Sequence, residues 1–395
     1  MRPADTDGVG AEAAAPLLLV AGQSARALSA AARRAGFRPL AVDLFGDDDT
    51  LALSAGNARI AALTADAVAR ALTRLIEKHS GTVSGLVLGS GFEHRPRAVS
   101  ALSARFGLLG NPADVVARAN DPFALAALCR AAGVPHPEVR RPADMDTAPA
   151  DTWLLKRRAG TGGAHVRAWH AGAPTRGCYA QRRVAGQPVS ACFMADGRRT
   201  AVLGFTAQWS DPSDDATFRY GGAVRPAAAR FEPGMTLAVA RLAQSLGLVG
   251  LNSADFLVAA DGFHLVEINP RPGATLDLFA DALPMRLHVE ACRDATLPEA
   301  PPVLPGASAS ALAYAGRDGH LPRGFAWPDW AADRQRHGRV RAGAPLCTAL
   351  AEADRPAAAR RLARTRAASL LDRAGLLPAR PHGPGLPHSL EANAA

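Results

Sequence analysis

The chain has 395 residues, of which 48% are hydrophobic and 21% charged. That composition is ordinary for a soluble globular protein, and the length exceeds one simple core, so two or three domains are expected. A net charge of +9 would suit nucleic acid or an anionic ligand. Lys78 and Lys156 are, however, the only lysines among 45 Lys and Arg residues, an Arg bias that GC-rich coding explains. Aromatics make up 5% and no basic block interleaves with them, which argues against nucleic acid as a partner.

Cys129, Cys178, Cys192, Cys292 and Cys347 show neither C-x-x-C spacing nor pairing with His. They read as small core residues in a reducing compartment, without a disulfide or zinc framework. The apolar run 13–20, followed by Ala25-Arg26-Ala27, has the outline of an export signal. Asp5, Asp7 and Glu12 precede it against a lone Arg2, the wrong charge for export. No apolar run reaches the length of a membrane span. The expected location is cytoplasmic, with no membrane contact.

Residues 1–15 read as a disordered leader and 16–118 as a first domain. There the pattern predicts strands at 16–21, 39–43 and 85–88, and helices at 24–35, 64–78 and 95–106. Such alternation implies an α/β layer with a small parallel sheet, whose ligands lie at the carboxyl ends of the strands. Those ends carry Gly22-Gln23-Ser24, Asp43 and Gly89-Ser90-Gly91-Phe92-Glu93; a tight turn alone would explain the glycines equally well. A second domain, 119–299, turns to an antiparallel α+β pattern. It opens with a helix at 122–132, started by Pro122 and stopped by Gly133. Strands follow at 153–157, 178–184, 189–195, 200–207 and 217–224, then a helix at 234–246 and a strand at 251–258. A C-terminal α+β section, 300–375, carries strands near 308–315 and 338–342 and a helix at 353–373. The Pro/His-rich stretch 376–395 reads as a disordered tail.

Chemistry concentrates in Val266-Glu267-Ile268-Asn269-Pro270-Arg271-Pro272-Gly273. Glu267 and Asn269 are two apart on a strand and share a face, leaving Val266 and Ile268 to the core. A carboxylate beside an amide oxygen is a hard donor pair suited to Mg²⁺ on nucleotide phosphates. A three-residue loop, Ala260-Asp261-Gly262, with Gly262 left-handed, would close a hairpin between Ala259 and Phe263. That closure sets Asp255 opposite Glu267 on the face of Asn269. The alternative is a structural hairpin. Lys156 ends a strand that enters Ala159-Gly160-Thr161-Gly162-Gly163-Ala164-His165, where glycines permit close backbone approach to phosphate. A flexible turn with an incidental Lys is the other reading of that segment. Gln181-Arg182-Arg183-Val184-Ala185-Gly186 presents a backbone edge that could meet an adenine ring.

In that order, Lys156 with Gly160-Thr161-Gly162-Gly163, Gln181 to Gly186, Asp255, and Glu267-x-Asn269-Pro270-Arg271 resemble the ATP-grasp superfamily, over about 16–375. The resemblance implies an ATP-grasp fold with an N-terminal Rossmann-like pre-ATP-grasp domain. It also implies an ATP- and Mg²⁺- (or Mn²⁺-) dependent ligase joining a carboxylate to an amine through an acyl phosphate. By that similarity Lys156 contacts the α/β-phosphates; Gly160, Gly162 and Gly163 form a mobile lid; Gln181 and Val184 frame adenine; and Ser190 reaches the ribose. Asp255, Glu267 and Asn269 would bind the metal, Arg271 would act in catalysis, and Ser90 and Glu93 would meet substrate. The partners implied are small-molecule carboxylate and amine substrates, and a homodimer is compatible with the resemblance. Two positions depart from the pattern: Pro122 stands where a second phosphate-binding lysine is usual, with either Arg118 as a substitute or that contact absent, and Arg182 and Arg183 follow Gln181 where Glu is usual. A small-molecule kinase and a non-catalytic nucleotide-binding regulator are the alternatives. Asp43-Leu44-Phe45-Gly46-Asp47-Asp48, Gly89 to Glu93 and Arg339 to Thr348 also resemble proteins of tetrahydromethanopterin- and methanofuran-type one-carbon cofactor pathways.

Overall fold

The structure, a computed structural model, describes residues 15–145, 152–158, 160–227 and 230–377. The expected leader, apart from its last residue, lies outside the described residues, as does the expected tail from 378 onward. The N-terminal layer is a parallel sheet of β1 (Leu17–Ala21), β2 (Arg38–Asp43), β3 (Gly56–Arg59) and β4 (Val83–Leu88), in the order β3-β2-β1-β4. All five side chains of β1 are buried, as a strand covered on both faces requires. The covering helices are α1 (Arg26–Arg34), α2 (Asp48–Leu53), α3 (Ala65–Lys78) and α4 (Pro96–Phe106). In α3, Val68, Leu72 and Leu75 fall on one buried stripe, and the Thr64 hydroxyl caps the helix by accepting from the Ala67 N–H at 3.2 Å. Neither α2 nor β3 was predicted: each is short, and its apolar periodicity is too brief to register.

Two further helices, α5 (Ala113–Asn120) and α6 (Pro122–Ala131), lead into a four-stranded antiparallel sheet. It contains β5 (Val139–Arg140), β6 (Trp153–Arg157), β7 (Val166–Ala168) and β8 (Cys178–Arg182), ordered β5-β8-β6-β7. The largest sheet has eight strands. Five come from the middle of the chain: β9 (Gln187–Asp196), β10 (Thr200–Ser210), β11 (Tyr220–Arg225), β12 (Val249–Val258) and β13 (Phe263–Asn269). The other three, β14 (Ala307–Tyr314), β16 (Ala331–Ala332) and β18 (Pro345–Ala353), come from the C-terminal section, in the order β13-β12-β9-β10-β11-β14-β18-β16. A separate pair, β15 (Gly319–Leu321) with β17 (Gly338–Val340), completes the strands. Helix α7 (Glu232–Leu246) packs Met235, Val239, Leu242 and Leu246 onto β9 and β12, α8 (Pro284–Asp294) covers the opposite side with Met285 and Val289, and α9 (Pro356–Arg373) covers β14 and β18. The five cysteines are free thiols. Among the described residues no helix is long and apolar enough to cross a membrane.

The carboxyl ends of β1 and β2, where the sequence suggested a ligand, are filled from within. Buried Arg26 pairs with Asp277 through both terminal nitrogens at 2.6 Å and with Asp333 at 3.0 and 3.1 Å. Asp333 also accepts from Ser24 at 3.4 Å and Thr348 at 2.6 Å, while Asp49 accepts from the Asp333 and Arg334 N–H groups at 2.8 and 3.0 Å. Asp43 takes the Ala25 N–H at 3.0 Å and the Gly46 N–H at 2.8 Å. The network ties α1 to the segment after β13 and to the C-terminal strands. It leaves carboxylates in excess of Arg26. Burial, then the Asp333, Asp43 and Asp49 charges, push the Asp47 carboxyl up to about 8, against Arg26. A raised acid binds its proton in the folded chain and loses it in the unfolded one. Its stabilising effect is therefore full below the ordinary value near 3.8 and is lost as pH rises through about 8. Asp47→Asn should melt above the native chain at pH 8.5, with the difference shrinking toward pH 5. Thermal melts across that range check this, and a pH-independent difference would sink it.

Candidate active site

The concave face of β6 and β8 opposes the end of β12 and β13 across a cleft of about 980 Å³. Its lining gathers Lys156, Gly160, Gly162, Gly163, Gln181, Val184, Ser190, Asp255, Glu267, Asn269, Arg271 and Glu93. Of the residues singled out from the sequence, Ser90 and Arg118 are not in that lining.

At the centre, Asp255 pairs directly with Glu267 in the β12–β13 ladder. The route to that register differs from the expected one. Val258, not Ala259, pairs with Phe263, so the loop holds four residues, closed by the Ala259 N–H to the Gly262 carbonyl at 2.8 Å. Gly262 is not among the positive-φ glycines. A bulge between Asp255 and Phe256 skips Val266 and restores the face that the longer loop would have reversed. In consequence Leu265 and Ile268 enter the core, while Val266 lines the cleft instead of the core face expected for it.

The Asn269 amide nitrogen lies 3.1 Å from Asp255 Oδ2 and 3.3 Å from Glu267 Oε1, donating to both. Burial and the facing Glu267 charge push Asp255 up, against a hydrogen bond from the Ser190 hydroxyl. Burial also works to raise Glu267, but the Lys156 ammonium, a hydrogen bond with Asp255 and the Asn269 amide hold it below its usual value. Two facing carboxylates that share a proton and an N–H donor are short of positive charge. Among the described residues no group of three or more His, Cys, Asp or Glu could hold a metal. The donor set here is two carboxylates and one amide, a partial shell of hard oxygens that fits Mg²⁺ completed by water and phosphate.

Lys156 is 9% exposed. Burial pulls its ammonium below the ordinary value, while Glu267 and Asp255 across the cleft favour its charge. Arg271 donates from Nε to Glu93 at 2.6 Å, from Nη1 to the Pro272 carbonyl at 3.1 Å and from Nη2 to Asn269 Oδ1 at 3.2 Å. Glu93 also accepts the Gly91 N–H at 2.6 Å. Burial disfavours the Glu93 charge, but Arg271 outweighs it and holds the carboxyl low. Both Glu93 oxygens are thus engaged, one by Arg271 and one by the Gly91 N–H, at the cleft lining. The Ser90 carbonyl accepts from the Gln23 N–H at 2.8 Å.

At the far end, Gln181 is 2% exposed and its Nε2 has no hydrogen-bond partner, an orphaned donor facing the lining that also includes Val184. Ser190, expected at a ribose, lies buried in register with Asp255 and bonds to it. Arg118, the expected stand-in for a missing lysine, donates to the Leu246 carbonyl at 2.7 Å. Pro122 itself lines the cleft. Asp121 caps α6 through the Phe123 and Ala124 N–H groups at 2.8 and 3.0 Å, and Arg158, 3.6 Å from Asp121, is a guanidinium on this wall.

Residues 119–275 match a family model described as the ATP-grasp domain. This segment belongs to the ATP-grasp family. No curated protein matches the sequence. Among solved structures, a Campylobacter jejuni biotin carboxylase in complex with β-γ-ATP superposes with a TM-score of 0.68 at 14% identity, covering 90% of this chain and 92% of that one. A Staphylococcus aureus N5-carboxyaminoimidazole synthetase with ADP gives 0.64 at 12% identity over 89% and 97%. A Rhizobium etli pyruvate carboxylase gives 0.68 at 16% identity over 91% of this chain, which spans 37% of that protein's length. The chain has the ATP-grasp fold, preceded by a Rossmann-like parallel sheet.

Within the ATP-grasp domain the glycine-rich loop is folded down over the cleft. The Gly162 carbonyl accepts the Tyr220 N–H at 2.9 Å, and Tyr314 holds the Tyr220 carbonyl at 2.9 Å. Gly162 and Gly163 have φ of +66° and +76°. A Cβ at Gly162 meets open space, but one at Gly163 would overlap the Phe218 carbonyl. Gly163→Ala should therefore lower turnover several times more than Gly162→Ala, because it blocks closure as well as straining the backbone. Steady-state rates on the two folded variants check this; equal losses would contradict it. His94, His136 and His165, which no motif in the sequence marks as site residues, also line the ATP-grasp cleft. His165 alone carried a signal, as the one imidazole in a loop of small residues.

Proposed function

We propose that the chain is an ATP- and Mg²⁺-dependent ligase that joins a carboxylate to an amine through an acyl phosphate, releasing ADP and phosphate. The observation that carries this reading is Lys156 facing the Asp255–Glu267 pair across one cleft beneath the glycine loop. The family match and the likeness in fold to ATP- and ADP-bound enzymes support it. Asp255, Glu267 and Asn269 would hold the Mg²⁺, with Mn²⁺ able to replace it. The bound cation supplies positive charge to the terminal phosphates. Lys156 neutralises phosphate from the opposite wall, Gln181 and Val184 border the base, and Arg271, fixed by Glu93, stabilises charge on the transferring phosphoryl group. Tyr220 and Phe218 seat the lid, which excludes water from an acyl phosphate. Within this class, the runs Asp43 to Asp48, Gly89 to Glu93 and Arg339 to Thr348 support a place in one-carbon cofactor synthesis by motif similarity alone. In the fold, Asp43, Glu93 and Thr348 of these runs are engaged with other protein groups.

Incubation with ATP, Mg²⁺ and pools of carboxylates, bicarbonate included, and amines should release ADP and phosphate and leave a new carbon–nitrogen bond. Release of AMP and pyrophosphate would overturn the acyl-phosphate reading. A stable phosphorylated product with no hydroxamate on trapping with hydroxylamine would replace the ligase by a kinase.

A further inference from the structure

The glycine-rich loop brings one ionisable side chain into the cleft. His165 lines the cleft, within electrostatic reach of Lys156 and Glu267. Its side chain packs against Gly160, where a Cβ would overlap it, so the absence of a side chain at 160 makes room for the ring. Nδ1 is buried and has no hydrogen-bond partner among the described residues. A buried, unpaired ring nitrogen costs free energy unless a ligand meets it.

The groups facing this ring come from four places: Glu267 on β13, Lys156 on β6, His94 after β4, and the Thr161 backbone in its own loop. Burial lowers the His165 pKa; Glu267 and the Thr161 hydrogen bond oppose this, and Lys156 and His94 add to it. Burial, the largest of these effects, therefore favours the neutral ring. A neutral imidazole that donates to a backbone carbonyl from one nitrogen offers only a lone pair at the other. Phosphate oxygens also only accept. The two meet favourably once the ring gains a proton, and phosphate charge supplies the reason to gain it.

We propose that His165 is a nucleotide-phosphate ligand carried by the lid, and that nucleotide binding draws a proton from solvent onto its ring. The inference rests on the nucleotide reading above and adds to it a coupling between lid, phosphate and pH. No covalent step is involved; the proton moves from solvent to the imidazole and returns on release.

The test is calorimetric titration of the full chain with ATP in buffers of different ionisation enthalpy, repeated at pH 6 and pH 8, for the native protein, His165→Gln, Gly160→Ala and His94→Gln. Melting temperature confirms that each is folded. The native chain should take up a proton. Its ATP affinity should rise by about tenfold more between pH 8 and pH 6 than that of His165→Gln, the equivalent of one pKa unit. The nucleotide's own titration is common to all and cancels. Gly160→Ala, which displaces the ring, should share the loss, and His94→Gln should keep the uptake. Equal pH dependence in native and His165→Gln, with ATP bound by both, overturns the assignment of His165, as does loss of uptake in His94→Gln alone. Absence of ATP binding in the native chain overturns the nucleotide reading itself, and this inference with it.

Discussion

Glu267→Gln should lower turnover on the order of 10³-fold while leaving the protein folded, the scale of removing one charged group from a preorganised phosphoryl-transfer site. The substitution keeps size but removes a charge that faces Asp255 in the strand ladder and Lys156 across the cleft. A glutamine amide can also donate to Asp255, which relieves the crowding of two carboxylates. The variant without nucleotide should therefore melt at or above the native temperature. Loss of activity joined to unchanged or raised stability is the signature of a ligand position, since a core position would lose both. ADP release against Mg²⁺ concentration, with thermal melts on the same preparations, checks both halves. Near-native turnover at limiting Mg²⁺ would remove Glu267 from the metal site.

Lys156→Met should weaken ATP binding by about 1–3 kcal/mol, the range of a charge-assisted hydrogen bond, or roughly 5- to 150-fold in affinity. Methionine retains the length of the buried stem and so keeps contact with β6 and β8. Lys156 also lowers the Glu267 pKa, so the variant should retain more of the shared proton between Asp255 and Glu267. Calorimetric ATP affinity in the folded variant measures the first effect. Affinity unchanged from native would defeat the assignment of this lysine to phosphate.

The elements most legible in the sequence were those with a long, unbroken period. The run at β1, the amphipathic stripe of α3 and the alternation through β12 and β13 depend on local pattern, and each is found within a few residues of its expected bounds. The pairing of Asp255 with Glu267 is found as well, but through two compensating departures, a longer loop and a bulge at Val266. Register is set by the core's demand for Leu265 and Ile268, which turn chemistry alone does not reveal. The partners of Ser190 and Arg118 were illegible for a related reason: both side chains are held by groups distant in sequence, Asp255 and the Leu246 carbonyl. The Arg26 network was illegible because it joins residues 251 and 307 positions apart. Glu93 and Arg271 stood out separately, but their ion pair spans 178 positions and could only be seen once the parallel sheet was docked beside β13.

On the proposed reading, a carboxylate attacks the γ-phosphate of ATP held between Lys156 and the Asp255–Glu267–Asn269 site. The most direct measurement takes the carboxylate that supports turnover, labelled with ¹⁸O in its carboxyl oxygens, and examines the released phosphate by mass spectrometry. An acyl-phosphate route breaks a carboxyl C–O bond when the amine enters, so the phosphate should carry one labelled oxygen per turnover. Unlabelled phosphate accompanying formation of the amide would show that the carboxylate never bonded to phosphorus, and would rule out the acyl-phosphate route.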